Sequence, residues 1–338
     1  MDLDNGVGFG GDASGDSFVN IENVIGTDIA VDDKGNHVGD DLIGNGANNL
    51  LDGLQGWDLL VGFGGNDTLL GGFGNDTIDG GKGADSIDGG GGDDWVSYEE
   101  SFGAVTVDLR ITTKGQTSGG EANGDIITGV ENIRGSDFND RLTGDSGGND
   151  FEGGKGADTI TGAGGADASN YFDSDAAVQV SLLVVGPQSS TGDANGDVLI
   201  GINNLRGSAF NDKLTGDNLG NGFFGWFGND TITGGGGRDM FEFNSDGEGV
   251  DTITDFTIGD NFQGDFLQIC DVLDDSFEVA KVNDFARLVQ KVGNAEFQVN
   301  ADGVGDDWVT IAVLQGVNGF GMTAQDMLDN GNLQVVGE

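Results

Sequence analysis

Gly53-Leu-Gln-Gly-Trp-Asp58-Leu-Leu-Val, Gly62-Phe-Gly-Gly-Asn-Asp67-Thr-Leu-Leu, Gly71-Gly-Phe-Gly-Asn-Asp76-Thr-Ile-Asp, Gly80-Gly-Lys-Gly-Ala-Asp85-Ser-Ile-Asp and Gly89-Gly-Gly-Gly-Asp-Asp94-Trp-Val-Ser follow one another without a gap. Glycine fills the first and fourth slots of each nonad, aspartate the sixth, and a large apolar residue the eighth. The glycine-rich first six residues predict a tight turn, because glycine accepts positive φ and lets backbones approach closely. The last three predict a very short strand with one inward side chain at slot eight. Two nonads then close one coil, and residues two nonads apart stack. Asp58, Asp76 and Asp94 are expected on one edge, Asp67 and Asp85 on the other.

Such a ladder needs a counter-charge. Stacked coils lie ~4.8 Å apart, and neighbouring carboxylates repel by ~1 kcal/mol even at water's dielectric, several-fold more near a protein surface. Carboxylates plus turn carbonyls are hard oxygen donors, which select Ca²⁺ over nitrogen- and sulfur-seeking metals. Gly/Asp-rich sequence without a period reads instead as a solvated, disordered tract. The phased Leu60, Leu69, Ile78, Ile87 and Val96 decide against that, since disorder has no reason to keep a frame.

The repeat Gly-Gly-x-Gly-x-Asp-x-apolar-x resembles the RTX (repeats-in-toxin, hemolysin-type) family, whose nonapeptides form calcium-loaded parallel β-rolls. The frame extends upstream as degenerate nonads at 35–43, with Asp40, and 44–52, with Asn49 in the aspartate slot. A second block at 135–170 places Asp140, Asn149, Asp158 and Asp167 in slot six, and a third at 207–242 places Asp212, Asn221, Asp230 and Asp239 there. Asparagine offers a carbonyl oxygen but no charge, so weaker or absent sites are expected at Asn149 and Asn221.

A longer repeat overlies the nonads. Ser118-Gly-Gly-Glu-Ala-Asn-Gly-Asp125, leading to Gly135-Ser-Asp-Phe-Asn-Asp-Arg-Leu-Thr-Gly144, recurs as Thr191-Gly-Asp-Ala-Asn-Gly-Asp197 leading to Gly207-Ser-Ala-Phe-Asn-Asp-Lys-Leu-Thr-Gly216. Alternating strands precede both copies, Val105-Thr-Val-Asp-Leu109 and Val178-Gln-Val-Ser-Leu182. A third copy, Asp12-Ala-Ser-Gly-Asp16 and Ile21-Glu-Asn-Val-Ile-Gly-Thr27, stands at the N-terminus without its strand. The expectation is that the chain is the C-terminal part of a larger exoprotein, or that its start is assigned too late, because an uncapped solenoid end exposes an edge.

Charge agrees with the ladder. Against 59 acidic residues stand 13 basic ones, a formal net charge of −46, which excludes phosphate-tracking nucleic-acid binding and adsorption to anionic lipid. The 67 glycines and single proline make ordering of the backbone costly. Lone Cys270 forms no internal disulfide, and Leu267-Gln-Ile-Cys-Asp-Val offers no basic neighbour to activate it, so inert packing is its reading. No apolar run is long enough for a membrane span, and the N-terminus lacks the basic and apolar segments of a Sec signal.

No catalytic constellation assembles. His37 is the only histidine, so neither a zinc pair nor a Ser-His-Asp triad can form, and Gly-x-Ser-x-Gly and phosphate-loop motifs are missing. Asp193, Asn195 and Asp197 carry the first spacings of an EF-hand loop, but Val198 replaces its glycine and Asn204 its final acid. A polar turn is the better reading. Glu22 and Glu131 share a slot that the copy starting at Thr191 fills with Asn203, which argues against a general acid or base. Trp57, Trp226 and Phe227 read as caps over turns rather than a sugar platform.

Beyond 242 glycine thins. Gly249-Val-Asp-Thr-Ile-Thr-Asp-Phe256 is followed by a short helix expected at 284–292, strand-like pieces at 295–299 and 308–314, and then 314–317 and 322–333. This segment resembles the C-terminal target domain of type I exported proteins. There an Asp-x-Ile-x-Asp-Phe element follows the last RTX block, and an uncleaved signal occupies the final tens of residues.

The expected fold is all-β, a right-handed parallel β-roll in three blocks with β-rich spacers and a C-terminal β-rich cap. Its boundaries are a spacer at 1–34, blocks at 35–97, 135–170 and 207–242, spacers at 98–134 and 171–206, and the target domain at 243–338. Multiple Ca²⁺ ions are expected at Asp40, Asp58, Asp67, Asp76, Asp85, Asp94, Asp140, Asp158, Asp167, Asp212, Asp230 and Asp239. The resemblance implies a secreted protein that leaves by type I secretion and folds on calcium outside the cell, and the missing catalytic constellation makes a non-enzymatic chain the expectation. Two other readings stay open. One is the export module of an extracellular protease, lipase or alginate epimerase. The other is a surface adhesion or matrix protein with an extracellular glycan or protein ligand.

Overall fold

A computed structural model describes residues 39–244, 247–259, 264–270, 281–301, 303–317 and 322–336, with the backbone of a further strand at Asn23–Ile25. His37 and, that strand apart, the spacer expected at 1–34 lie outside the described residues. The chain divides into two compact units, Met1–Asp167 and Ala168–Glu338. Among the described residues no helix is long and apolar enough to cross a membrane.

In the first unit the nonads coil as their period requires, into a parallel β-roll. Strands Asp41–Asn45, Leu59–Phe63, Thr77–Asp79 and Trp95–Ser97 pair in parallel, with Leu42, Leu60, Ile78 and Val96 in register. Leu50–Gln55, Thr68–Phe73 and Ser86–Gly91 build the second sheet, with Leu51, Leu69 and Ile87 in register. The spacer then leaves and rejoins the roll without breaking the stack. Ile126–Thr128 pairs with Ser86–Gly91, and Asn132–Arg134 with both Trp95–Ser97 and Asp150–Glu152. The alternating Val105–Leu109 stretch supplies Thr106–Asp108, which opens a third sheet with Arg141–Thr143 and Thr159–Thr161.

Slot-eight side chains fill the interior; Leu51, Leu60, Leu69 and Ile78 are fully buried. Burying one such side chain contributes about 1.5–3 kcal/mol, while ordering one residue's backbone costs about 1–2 kcal/mol. One inward side chain per nine residues therefore cannot hold a coil by itself, and the turns must contribute. Slot two is left-handed in these turns: Gly72, Gly81 and Gly90 have φ of 113°, 73° and 106°, and Leu54 and Phe63 adopt 71° and 66° there at a steric cost.

The second unit repeats the design. Ala168–Asn170, Asn204–Arg206, Gly222–Phe224, Met240–Phe243, Phe266–Cys270 and Leu333–Val336 pair in parallel. Gln179–Ser181, Lys213–Thr215, Thr231–Thr233, Asp251–Ile253 and Val309–Gln315 form the opposing sheet. The C-terminal segment thus lengthens both sheets before its strands Asn294–Val299 and Ala286–Gln290 turn antiparallel.

Two local expectations are corrected here. The helix expected at 284–292 is confined to Val282–Phe285, and Ala286–Gln290 is a strand. Gly293, at φ 81°, closes a hairpin in which the Lys291 N–H donates to the Asn294 carbonyl, so pairing with a sheet edge overrides the helical spacing. The strand-like reading of 322–333 gives way to a helix at Ala324–Asn330. Thr323 and Asp326 form its capping box and Gly331 ends it in the left-handed region.

Candidate metal centre

Each turn delivers its slot-six carboxylate to the coil before it. The Asp40 N–H donates to Asp58 Oδ1 (2.6 Å), Asp58 N–H to Asp76 Oδ1 (2.8 Å), and Asp76 N–H to Asp94 Oδ1 (2.8 Å). On the opposite edge the Asn49 N–H donates to Asp67 Oδ1 (2.7 Å), and Asp67 N–H to Asp85 Oδ1 (2.8 Å). The same step joins Asp140 to Asp158 (2.8 Å) and Asn149 to Asp167 (2.9 Å), and, in the second unit, Asp212 to Asp230 (2.7 Å) and Asn221 to Asp239 (2.9 Å). These carboxylates are buried; Asp76 and Asp94 have no exposed surface.

The other oxygen is the informative one. Oδ2 of Asp58, Asp67, Asp76, Asp85, Asp94 and Asp230 is buried with no hydrogen-bond donor, an arrangement that costs about 1–3 kcal/mol for a polar group and more for a charge. It faces a cradle kept open by the slot-one glycine. An ideal Cβ on Gly62 would lie 2.5 Å from Asp67 Oδ2 and 2.6 Å from the Gly80 carbonyl oxygen, and one on Gly135 would lie 2.6 Å from both Asp140 Oδ2 and the Gly153 oxygen. A carboxylate oxygen and the next coil's carbonyl therefore converge on one small space. Burial raises these carboxyls first of all: Asp58 and Asp67 to about 6, Asp85, Asp94 and Asp239 to about 7, with neighbouring carboxylates adding to the rise at Asp58, Asp85, Asp94 and Asp239. Among the described residues no three His, Cys, Asp or Glu side chains gather as a metal cluster. The donors are instead single carboxylates and backbone carbonyls, the oxygen set that Ca²⁺ accepts in flexible geometry.

Several ladder positions are filled by donors instead. Ser136 donates its N–H to Asp140 Oδ2 (2.5 Å), and Ser208 does the same for Asp212 (2.5 Å); serine at slot two adds a hydroxyl that donates to Asp140 Oδ2 (3.0 Å) and to Asp212 Oδ1 (2.8 Å). Asn149 and Asn221 use their side-chain N–H to reach the Glu131 and Asn203 carbonyls (2.6 and 2.9 Å). Three aspartates outside the assigned frame also join the ladders, Asp125 in the first spacer and Asp251 and Asp265 in the C-terminal segment, and Asp197 in the second spacer is likewise buried. Asp125 Oδ1 accepts from the Asp85 N–H (2.9 Å), Asp251 Oδ1 from Asp230 (3.0 Å) and Asp265 Oδ1 from Asp239 (3.0 Å), while Glu131 accepts from Asp94 (3.0 Å). Their signal is half a nonad: Asp125-Ile-Ile-Thr, Asp197-Val-Leu-Ile, Asp251-Thr-Ile-Thr and Asp265-Phe-Leu-Gln all read Asp-x-apolar-x.

At the spacers a phenol supplies the second donor. Tyr98 donates to Asp125 Oδ2 (2.9 Å), and Tyr171 donates to Asp197 Oδ2 (3.1 Å). Tyr98→Phe is expected to destabilise the calcium-loaded protein by about 1–3 kcal/mol, the cost of stripping a donor from a buried carboxylate. Thermal unfolding at saturating calcium reads this out; an unchanged midpoint would show that Asp125 needs no phenol.

The EF-hand-like trio is a turn, as read: the Asn195 N–H donates to the Gly192 carbonyl, and the Asp197 carboxylate goes to Tyr171. Cys270 is half-buried at the end of its strand. Trp226 packs edge-to-face on Phe172 with centroids 4.9 Å apart, whereas Trp57 is 74% exposed and so departs from the capping reading.

The RTX calcium-binding nonapeptide repeat (4 copies) matches the chain at residues 39–62, 61–96, 125–160, 134–168 and 223–241. No curated protein matches it. Among solved structures, the extracellular lipase LipA from Serratia marcescens is similar at 16% identity and a TM-score of 0.29, over 89% of this chain. The chain spans 40% of the length of that structure.

Proposed function

Since the chain carries RTX calcium-binding nonapeptide repeats, we propose that it is a secreted protein that leaves the cell unfolded through a type I channel and folds outside on binding several calcium ions. The observation that carries this reading is the row of buried carboxylate oxygens without donors, with a glycine carbonyl beside those of Asp58, Asp67, Asp76 and Asp94. In the first block Asp58, Asp67, Asp76, Asp85 and Asp94 would hold the ions, with Asp40 at the block's start. Asp158, Asp167, Asp230 and Asp239 would do so in the later blocks. Asp140 and Asp212, already served by Ser136 and Ser208, would be the weaker ligands. Calcium supplies the positive charge that lets these carboxylates stay ionised while buried. The blocks at 35–97, 135–170 and 207–242 would be the folding units, and 243–338 the segment read by the secretion machinery.

The physics favours a switch. Where calcium is scarce, a chain of net charge −46 repels itself and stays open. Extracellular calcium modules need only weak affinity, on the order of 10⁻⁴–10⁻³ M. The repeats bind calcium and need no catalytic group. Removing residues 251–338 is expected to abolish type I secretion while the second block still binds calcium. Efficient export of the truncated chain would locate the signal elsewhere.

A further inference from the structure

Two loops built on one plan carry opposite chemistry. In the first spacer the loop after Thr106–Asp108 is clamped at its base by buried Gln116, whose Oε1 accepts the Asp108 N–H and whose Nε2 donates to the Asp108 carbonyl (both 3.1 Å). In the second spacer buried Gln188 clamps Ser181 in the same way (both 3.0 Å). The first loop then displays Arg110, held by Asp108 (2.7 Å), followed by exposed Thr112, Thr113 and Lys114. The second displays Leu183, Val184 and Val185, of which Leu183 is 58% exposed and Val185 fully so. A Cβ on the next residue, Gly186 (φ 144°), would meet nothing within 4 Å, so the tip stands clear of the fold. Adjacent exposed apolar side chains on a clamped, protruding loop mark an interaction site.

What surrounds the tip selects its partner. The loop's returning leg, Ser189, Ser190 and Thr191, lines a groove of about 360 Å³ together with Gln179, Asn211 and exposed Lys213. No carboxylate lines this groove, although the chain holds 59 acidic residues. Gln179 precedes Ser181 by two residues on one strand, so the groove starts ~7 Å behind the base of the loop. An apolar tip, with hydroxyls, amides and one cation at that depth, matches a bilayer interface, where apolar groups bury ~5–10 Å at the boundary of headgroups and acyl chains. A convex tip also suits a fluid medium, whereas a protein partner would have to offer a matching pocket. We infer that this loop contacts a phospholipid surface: Leu183, Val184 and Val185 enter the acyl boundary, and Lys213 meets a headgroup phosphate. The net charge of −46 restricts that surface to zwitterionic lipid, because anionic headgroups repel the chain. Contact of this kind requires the folded second unit and is independent of the export route.

The test is partition of the full chain onto phosphatidylcholine vesicles in saturating calcium, read by co-flotation, with circular dichroism confirming that each protein is folded. The unmodified chain is expected to float with the vesicles. Leu183→Ser and Val185→Ser should each lower the partition coefficient about tenfold, the worth of one buried aliphatic side chain. Lys213→Gln should lower it severalfold, and Ile111→Ser in the first loop should leave it unchanged. A folded chain that stays off the vesicles, or an equal loss for Ile111→Ser, overturns the proposal. Lys213→Gln partitioning like the unmodified chain overturns the role given to the groove. A chain that binds no calcium would instead refute the calcium reading, a distinct result. Should a variant not fold, hydrogen exchange on the unmodified chain decides. Vesicles should slow exchange at 183–186 and not at 110–114, and protection that is absent or equal in the two loops overturns the proposal.

Discussion

In excess chelator the repeat segment 29–242 is expected to lose most of its strand signal, and calcium to restore it in a steep, cooperative transition. One buried apolar side chain per nonad does not offset the entropy of ordering nine residues, many of them glycine. The donorless oxygens of Asp58, Asp67, Asp76, Asp85 and Asp94 add a cost that a bound cation removes. Because calcium binds the folded form, mass action stabilises it by RT ln(1 + [L]/Kd) per site, about 1.4 kcal/mol at tenfold excess over Kd. Sites stacked in one ladder must form together, which makes the transition steep. Magnesium should substitute poorly, because it sheds its water reluctantly and demands octahedral geometry. Circular dichroism during a calcium titration reads this directly. A full strand signal in chelator, unchanged by calcium, would sink the switch.

The second large effect is expected to respect the two edges of the roll. Asp76→Ala removes a proposed calcium ligand and also orphans the buried Asp58 N–H, which donates to Asp76 Oδ1. The second loss alone costs about 1–3 kcal/mol, and each abolished site forgoes a further ~1.4 kcal/mol at tenfold calcium excess. Asp76→Asn keeps the acceptor and should show only the site's share. Trp57 and Trp95 adjoin Asp58 and Asp94 in sequence, on the Asp76 edge, so terbium emission sensitised by them reports that edge. It should fall for Asp76→Ala and largely persist for Asp67→Ala, whose hydrogen bonds run to Asn49 and Asp85 on the other edge. Equal loss in both variants would refute stacking at a spacing of two nonads.

The nonad frame by itself determined the coil, because every turn repeats the same local requirements. Glycine sits where φ is positive or a Cβ would strike a carboxylate, and an apolar residue comes once per strand. Leu60 over Ile78, and Leu51 over Leu69, follow from counting. So does the division of Asp58, Asp76 and Asp94 from Asp67 and Asp85. Only the tertiary structure decided which carboxylate oxygens end without a donor. Ser136 and Ser208 satisfy Asp140 and Asp212 from within the nonad, whereas Tyr98 reaches Asp125 across a spacer. Asp251 reaches Asp230 from beyond the last block. The conversion of 286–290 from expected helix to strand has the same origin, an open sheet edge contributed by Asn294–Val299. A period specifies what each residue does to its own turn, but the contacts that complete or close a carboxylate ladder come from segments outside the period and exist only once the coils have stacked.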